Sequence, residues 1–491
     1  MSKKSIVSGS IGYFITNLIN RIFGFLFVVL ATRLIGADGY GLVALGLTVR
    51  GLINNFGMFG LTFSSQKLLS GEFNNEKKNY LGAMSIINTG IAVLAFLVFY
   101  FGSEYIAVHL FNKPEFIPVL KIIAVSIIFS LPLSLSRSLL KAQKKVKLNF
   151  YTLVLESAFK VVALILVFVL ENKVMAVTSS ILFSTFISFV LALFIIFKEN
   201  YYPKYENINV NLKYIISIGS QFLIVGLGYY FASQTDRLML GRMSTSEALG
   251  MYAVAAALAQ IIGTLHGSMV SIFMPTVSEL HRKGNVEEIE ETYYFANIVV
   301  ASINIIVFLM FMIFGKQILD ILFDLSGTKI YIVFLLLSLK YLIGTFVGPT
   351  GALLNMTGNH KVEFYNTLFM ITANILLNYF LIKYYGLYGA VFATLIAAIS
   401  QNLIQLVEIY KIYNIFVLKS IHLYYFLSMV VISFILFNFN IINMNIIYKV
   451  IYFVIVSLLI FIIFWFKNKV IGKNEVSKFY DMVKTNIKKW K

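Results

Sequence analysis

Residues 8–63 read SGSIGYFITNLINRIFGFLFVVLATRLIGADGYGLVALGLTVRGLINNFGMFGLTF. Two apolar runs, 8–35 and 40–63, flank the short break Gly36-Ala37-Asp38-Gly39. At 1.5 Å per residue each run is long enough, as a helix, to cross a hydrocarbon layer of about 30 Å. Each run also carries an arginine well inside it, Arg21 in the first and Arg50 in the second. A cation at the bilayer centre costs roughly 2.5–3.5 kcal/mol even on the lenient insertion scale. It is tolerated where it faces a protein interior or a water-filled cavity. Two such cations on consecutive helices predict an electropositive chamber within the membrane, and such a chamber predicts transport of an anion.

The pattern recurs along the chain. Of its 491 residues 59% are hydrophobic and only 13% charged, with a mean hydropathy of +0.84; soluble domains carry about 25% charged residues. That length would suggest about three soluble domains, but runs of 18 or more apolar residues read as membrane helices and override that prior. The expected fold is all-α and polytopic, with about fourteen transmembrane helices at 8–35, 40–63, 80–102, 116–138, 149–170, 174–197, 213–234, 248–273, 293–315, 330–352, 364–384, 388–411, 422–441 and 446–466. The first run is longer than a signal h-region and lacks a small-residue cleavage site, so it reads as a membrane helix and not a cleavable signal. The chain has no cysteine, which excludes disulfides, thiolate metal sites and thiol catalysis. His109, His266, His281, His360 and His422 are scattered without zinc-like spacing, so no metal and no cofactor is expected.

Basic residues assign the sides. With the N-terminus in the cytoplasm, about 26 of the 40 Lys and Arg fall in inside segments and about 9 in outside ones. Arg137, Lys141, Lys144, Lys145, Lys147 and the tail from Lys467 to Lys491 dominate this bias, as the positive-inside rule requires. The net charge of +18 is thus explained by orientation and contact with anionic lipids, with no nucleic-acid partner implied. In the tail, Val476, Phe479, Tyr480, Val483, Ile487 and Trp490 share one helical face and Lys478, Lys484, Lys488 and Lys491 lie on or near the other. That pattern predicts an interfacial helix on the cytoplasmic leaflet, and with the bias of basic residues it places both termini inside. The acidic run Glu287, Glu288, Glu290, Glu291 follows Asn285 as first-turn carboxylates follow a helix cap.

The chain repeats itself. Leu139–Thr152 resembles Leu353–Asn366 at a constant offset, Lys147, Phe150 and Tyr151 matching Lys361, Phe364 and Tyr365, and the register holds to Ala176-Val177 against Ala390-Val391. Helices one to six therefore repeat as seven to twelve in the same membrane orientation, an arrangement that places a site between two bundles. The expected organisation is an N-terminal six-helix bundle (1–197), a cytoplasmic linker (198–212), a C-terminal six-helix bundle (213–413), helices thirteen and fourteen (414–466), and the basic tail (467–491).

Polar stripes nominate cavity residues. On helix one, Asn17, Asn20, Arg21 and Gly24 share a face; on helix two, Arg50, Asn54 and Gly57 do the same. Helix seven offers Gln221 and, at its end, Asp236 beside Arg237; helix eight offers Gln260, Thr264, Gly267 and Ser271, with His266 alongside. His266 fits either a satisfied polar residue or a cavity group able to couple to protons. Glu156 and Lys160 form an i,i+4 pair in the favourable order and read as a self-neutralising internal pair or as coupling charges. Lys340 lies deep in a span with no partner evident from the sequence, and Asn374, Asn378, Gln401, Gln405 and Glu408 add polar groups to helices eleven and twelve. Gly, Ser and Thr stripes also serve close helix packing alone. Arginine stays charged and grips phosphate bidentately, which makes Arg21 and Arg50 the leading anion ligands. No Walker A motif, HExxH, nucleophile elbow or dinucleotide fingerprint is present, so the chain does not read as an enzyme.

The passage Ala31-Thr-Arg-Leu-Ile-Gly-Ala-Asp-Gly-Tyr-Gly41, with Leu139–Tyr151 after helix four and Gly351–Tyr365 after helix ten, resembles the polysaccharide exporters. These are the Wzx-type flippases of lipid-linked oligosaccharides, within the superfamily that also contains MATE multidrug antiporters and the peptidoglycan lipid flippase. The resemblance covers essentially the whole chain. It implies two bundles rocking about a central cavity by alternating access, and a cargo that is a polyprenyl-pyrophosphate-linked sugar repeat unit for a surface polysaccharide. It also implies a proton, sodium or no coupling ion, and contact with polysaccharide assembly machinery. The peptidoglycan lipid flippase is similar in having arginines on helices one and two, which map to Arg21 and Arg50. Its basic residue on helix eight has only His266 as a counterpart here. Two other readings compete. A MATE-like antiporter of organic cations would need an unpaired acid in the first bundle, where Glu156 is offset by Lys160. A membrane glycosyltransferase or polymerase would need a large loop with acidic catalytic residues.

Overall fold

The computed structural model describes residues 3–416 and 445–471, together with Leu427 and Ile432. The amphipathic face expected at residues 476–490 lies outside the described residues, as does most of the span expected at 422–441. The described chain is helical throughout its spans, as expected. The principal helices are α1 (Lys3–Gly57), α2 (Leu61–Leu68), α3 (Asn75–Phe101), α4 (Ile117–Ala142), α5 (Val146–Val162), α6 (Lys173–Lys198) and α7 (Ile208–Met243). They continue as α8 (Ser246–Arg282), α9 (Val286–Phe323), α10 (Thr328–Val347), α11 (Thr350–Met356), α12 (His360–Tyr385), α13 (Leu387–Tyr413) and α14 (Ile446–Ile471).

Ten helices among the described residues are long and apolar enough to cross a membrane. One of them, Leu18–Gly57, runs for 40 residues, which as a straight rod would be about 60 Å and twice the hydrocarbon thickness. The chain solves this at Gly36, whose φ of 70° and ψ of 177° are not helical. A side chain is disfavoured at that φ, and glycine adopts it freely. Asn20, before the break, reaches Ser157, while Arg50, after it, reaches Glu156. Partners on adjacent residues of α5 require the two arms of α1 to run side by side, so the element makes two crossings. This matches the two runs read at 8–35 and 40–63. The ten do not include α7, 36 residues long, which holds side chains outside the described residues.

The helices divide into two compact units, residues 1–254 and 255–491, with the division inside α8. In the first unit α4 packs against α3 and α6, α5 lies against α1 and α6, and α7 packs on α1, α2 and α3. The core is aliphatic, with Leu120, Ile123, Ile127, Leu131, Val177 and Ile181 fully or almost fully buried. Close approach is set by glycine: a methyl group on Gly41 would fall 1.8 Å from the carbonyl oxygen of Ser246, and one on Gly250 1.8 Å from that of Ala37. In the second unit α9 packs with α10 and α14, and α13 with α12 and α10. A cluster of Phe273, Val277, Ile289, Tyr293, Leu353, Leu354 and Ile409 forms its core. Large apolar side chains such as Leu94, Phe168, Phe194 and Tyr379 remain exposed, which suits a surface solvated by lipid tails.

The internal repeat is visible in the backbone. Lys144 and Gly358, matched in the two copies, both adopt positive φ. Around them the same bonds form: Lys145 N–H donates to Leu140 and Asn359 N–H to Leu354, Gln143 N–H to Leu139 and Thr357 N–H to Leu353.

Candidate anion site in the first unit

Three helical faces build the site. On α5 the steps of three and four that place side chains on one face join Asn149, Thr152, Glu156 and Lys160; on α4 they join Ser130, Ser134, Arg137 and Lys141. The second arm of α1 adds Arg50 and Asn54. Between these faces lies a cavity of about 260 Å³ walled by Arg50, Gly51, Asn54, Ser130, Leu133, Ser134, Arg137 and Glu156 with Leu47.

Its centre is a carboxylate held by two guanidinium groups. Arg137 Nη1 is 2.7 Å from one oxygen of Glu156, and Arg50 Nη2 is 3.8 Å from the other. Arg50 Nη2 also donates to Thr185 Oγ1 at 2.9 Å, and the Thr185 hydroxyl donates onward to Glu156 Oε1 at 3.3 Å. Arg137 is tied to α5 a second time, through the Thr152 carbonyl and, at 3.3 Å, the Thr152 hydroxyl. Ser130 Oγ donates to Asn54 Oδ1 at 2.8 Å. The Arg50, Arg137 and Glu156 side chains are 11%, 14% and 19% exposed, so water screens them little. The Nε–H of Arg50 is buried without an acceptor, leaving a strong donor unfilled. Two guanidinium groups share one carboxylate, so the cluster retains an excess of positive charge.

Several expectations are re-sorted by the packing. Glu156 takes its ion pairs from Arg50 and Arg137, whereas the Lys160 ammonium lies 4.8 Å from the centre of the Phe27 ring. Arg21 is exposed on α1 and does not line this cavity, whereas Asn20 beside it is half-buried and accepts from the Ser157 hydroxyl. The side chains of Asn17 and Gln221 lie outside the described residues. Asp236 is buried and accepts from the Tyr252 hydroxyl and the Arg237 N–H. Gln260 and His266 belong to the second unit; Gln260 is exposed, and Nδ1 of the half-buried His266 is shielded without a partner. Half-buried Lys340 lies over its neighbour Tyr341, 5.2 Å from the ring centre. Arg137 is the residue that sequence reasoning assigned elsewhere, to the basic loop that orients the chain. Its spacing from Ser130, Ser134 and Lys141 is the signal that places it on a polar face. Among the described residues no three His, Asp or Glu side chains come together as a metal-ligand group.

A family model described as polysaccharide biosynthesis protein matches residues 6–281, more than half of the chain and the whole of this site. The chain belongs to this family. Other sequences similar to this chain include an uncharacterized membrane protein of Methanocaldococcus jannaschii, 21% identical over 425 residues that span 83% of this chain and 99% of the relative. A probable low-salt glycan biosynthesis flippase of Haloferax volcanii is 24% identical over 189 residues, 38% of this chain and 39% of that one. Among solved structures, the lipid II flippase MurJ in an inward closed conformation superposes with a TM-score of 0.74 at 16% identity, covering 95% of this chain and all of that one. That likeness establishes the fold of the family member described here.

Proposed function

We propose that the protein is a flippase that moves a polyprenyl-pyrophosphate-linked oligosaccharide from the cytoplasmic to the outer leaflet of a prokaryotic plasma membrane, by alternating access, for synthesis of a surface polysaccharide. The observation that carries this reading is the buried Arg50–Glu156–Arg137 cluster with its excess positive charge on the wall of a polar cavity. A pyrophosphate leaving water needs charge-assisted, preferably bidentate, partners. In the resting site Glu156 holds both guanidinium groups in place and lowers the cost of burying them. An arriving diphosphate competes for the same donors, with the unfilled Nε–H of Arg50 and the Ser134 hydroxyl beside it. The family assignment and the glycan flippase among the relatives support the cargo class. A MATE-like antiporter of organic cations fits less well, because the one carboxylate lining the cavity is already shared by two arginines.

The test is a lipid extract from cells lacking the gene, compared with wild type by mass spectrometry. Accumulation of one polyprenyl-pyrophosphate oligosaccharide with loss of its surface polymer is the expected result. Unchanged glycolipids with heightened sensitivity to cationic drugs would support the antiporter instead.

A further inference from the structure

The α4 and α5 faces continue past the arginine cluster. Ser134 and Arg137 also wall a neighbouring cavity of about 430 Å³ that reaches Lys141, and Lys141 in turn walls a third, of about 460 Å³, with Gln66, Ser70, Lys144, Asn149 and Leu153. Polar groups thus run without a break from Arg50 to the α4–α5 turn, all within the first unit. The third cavity has the size of an ordinary small-molecule site.

Asn149 is the anomaly in its wall. The residue is fully buried, yet neither its amide nitrogen nor its carbonyl oxygen has a hydrogen-bond partner. Buried carboxamides are almost always satisfied, so an orphaned one calls for an explanation. Helix capping does not supply it: the side chain caps nothing at the start of α5. At the matching position of the repeat stands Glu363, whose carboxylate accepts from Gln405 at 2.8 Å. The first unit therefore places a neutral donor–acceptor pair beside two lysines where the second has a satisfied acid.

We infer that the cavity walled by Gln66, Ser70, Lys141, Lys144 and Asn149 binds a sugar-phosphate group. The lysines meet the phosphate, and the Asn149 amide meets a sugar group that both donates and accepts. This inference rests on the flippase reading and deepens it: the cavity is a first station for the cargo head group, and the polar run leads from it to Arg50. Two lysines alone would accept any phosphate. Asn149 adds the requirement for the sugar, because a carboxamide is satisfied only by a partner offering both hydrogen-bond senses.

The experiment uses the full chain in nanodiscs of neutral lipid, titrated with a farnesyl-diphosphate-linked N-acetylglucosamine, with inorganic pyrophosphate, and with phosphatidylglycerol as competitor. Asn149→Leu, which fills the space without polar atoms, is expected to weaken the glycolipid probe about tenfold and pyrophosphate less than about threefold. It should leave thermal stability equal or higher, since an unsatisfied group is removed. The double variant Lys141→Gln/Lys144→Gln, at exposed positions, should weaken both probes. Pocket variants that bind like wild type while Arg50→Gln still loses affinity would overturn the inference and leave the flippase reading standing. No saturable binding by wild type would overturn both. Displacement of the probe by phosphatidylglycerol at equal concentration would overturn the sugar-phosphate assignment in favour of bulk anionic lipid.

Discussion

Replacing Glu156 by glutamine keeps the shape of the side chain and removes the one negative charge between Arg50 and Arg137. With an effective dielectric of about 20, the separations of 2.7 and 3.8 Å correspond to direct attractions of about 6 and about 4 kcal/mol. Part of this is regained, because the buried carboxylate no longer has to be desolvated. The two guanidinium groups are then left as mutually repelling, poorly solvated cations. Breaking buried pairs in this way costs about 3–5 kcal/mol, and that is the expected loss for Glu156→Gln in reversible denaturant unfolding of the purified protein. Adding Arg50→Gln to Glu156→Gln should recover part of the loss, since one of the uncompensated charges is then gone. A cost for Glu156→Gln below about 1 kcal/mol would refute the reasoning, showing the cluster to be hydrated and screened. The same variant separates the functional readings: both arginines survive, so a diphosphate probe should bind at least as well as to wild type, whereas a cation antiporter would lose its only cavity carboxylate.

Arg50→Gln and Arg137→Gln should each abolish glycolipid transport in a complementation assay while membrane levels stay near normal, and lysine at either site should keep partial activity because charge survives without bidentate geometry. Arg21→Gln, altering an exposed side chain outside the cavity, should cost less transport than Arg50→Gln; equal losses in the same assay would place Arg21 in the cargo path. Gly41→Ala or Gly250→Ala puts a methyl group 1.8 Å from a carbonyl oxygen of the opposing helix and should cost at least about 1–3 kcal/mol, read as a fall in thermal stability. Between helices, Lys145 bonds Glu199, which together with Tyr201 raises its pKa above the ordinary 10.5. A raised cation contributes stability below the unfolded pKa and loses it as pH rises through the folded value. The difference in melting temperature between wild type and Lys145→Gln should therefore be present at pH 7–9, and vanish only once pH is well above 10.5.

Much of this was legible before any fold was known, because it depends on short stretches of chain. The apolar runs, the break between residues 35 and 40, the repeat around Leu139–Thr152 and Leu353–Asn366, and the polar faces carrying Arg50, Asn54 and Glu156 can all be read from short stretches of sequence. A helix of 3.6 residues per turn decides which of its side chains share a face. It does not decide which neighbour that face meets. That choice is made by packing, here by α4, α5 and α6 closing around the second arm of α1. Packing turns Glu156 from Lys160, four residues away on its own helix, to Arg137 and Arg50. It brings Thr185 to Arg50 across 135 residues of sequence, and sets Lys160 over Phe27. It also leaves Arg21 exposed, and Asn149 buried with nothing to bond. The physical reason is one of range: periodicity is a local property of the backbone, whereas the cost of burying a charge or an amide is settled by whichever groups the tertiary fold brings within about 4 Å.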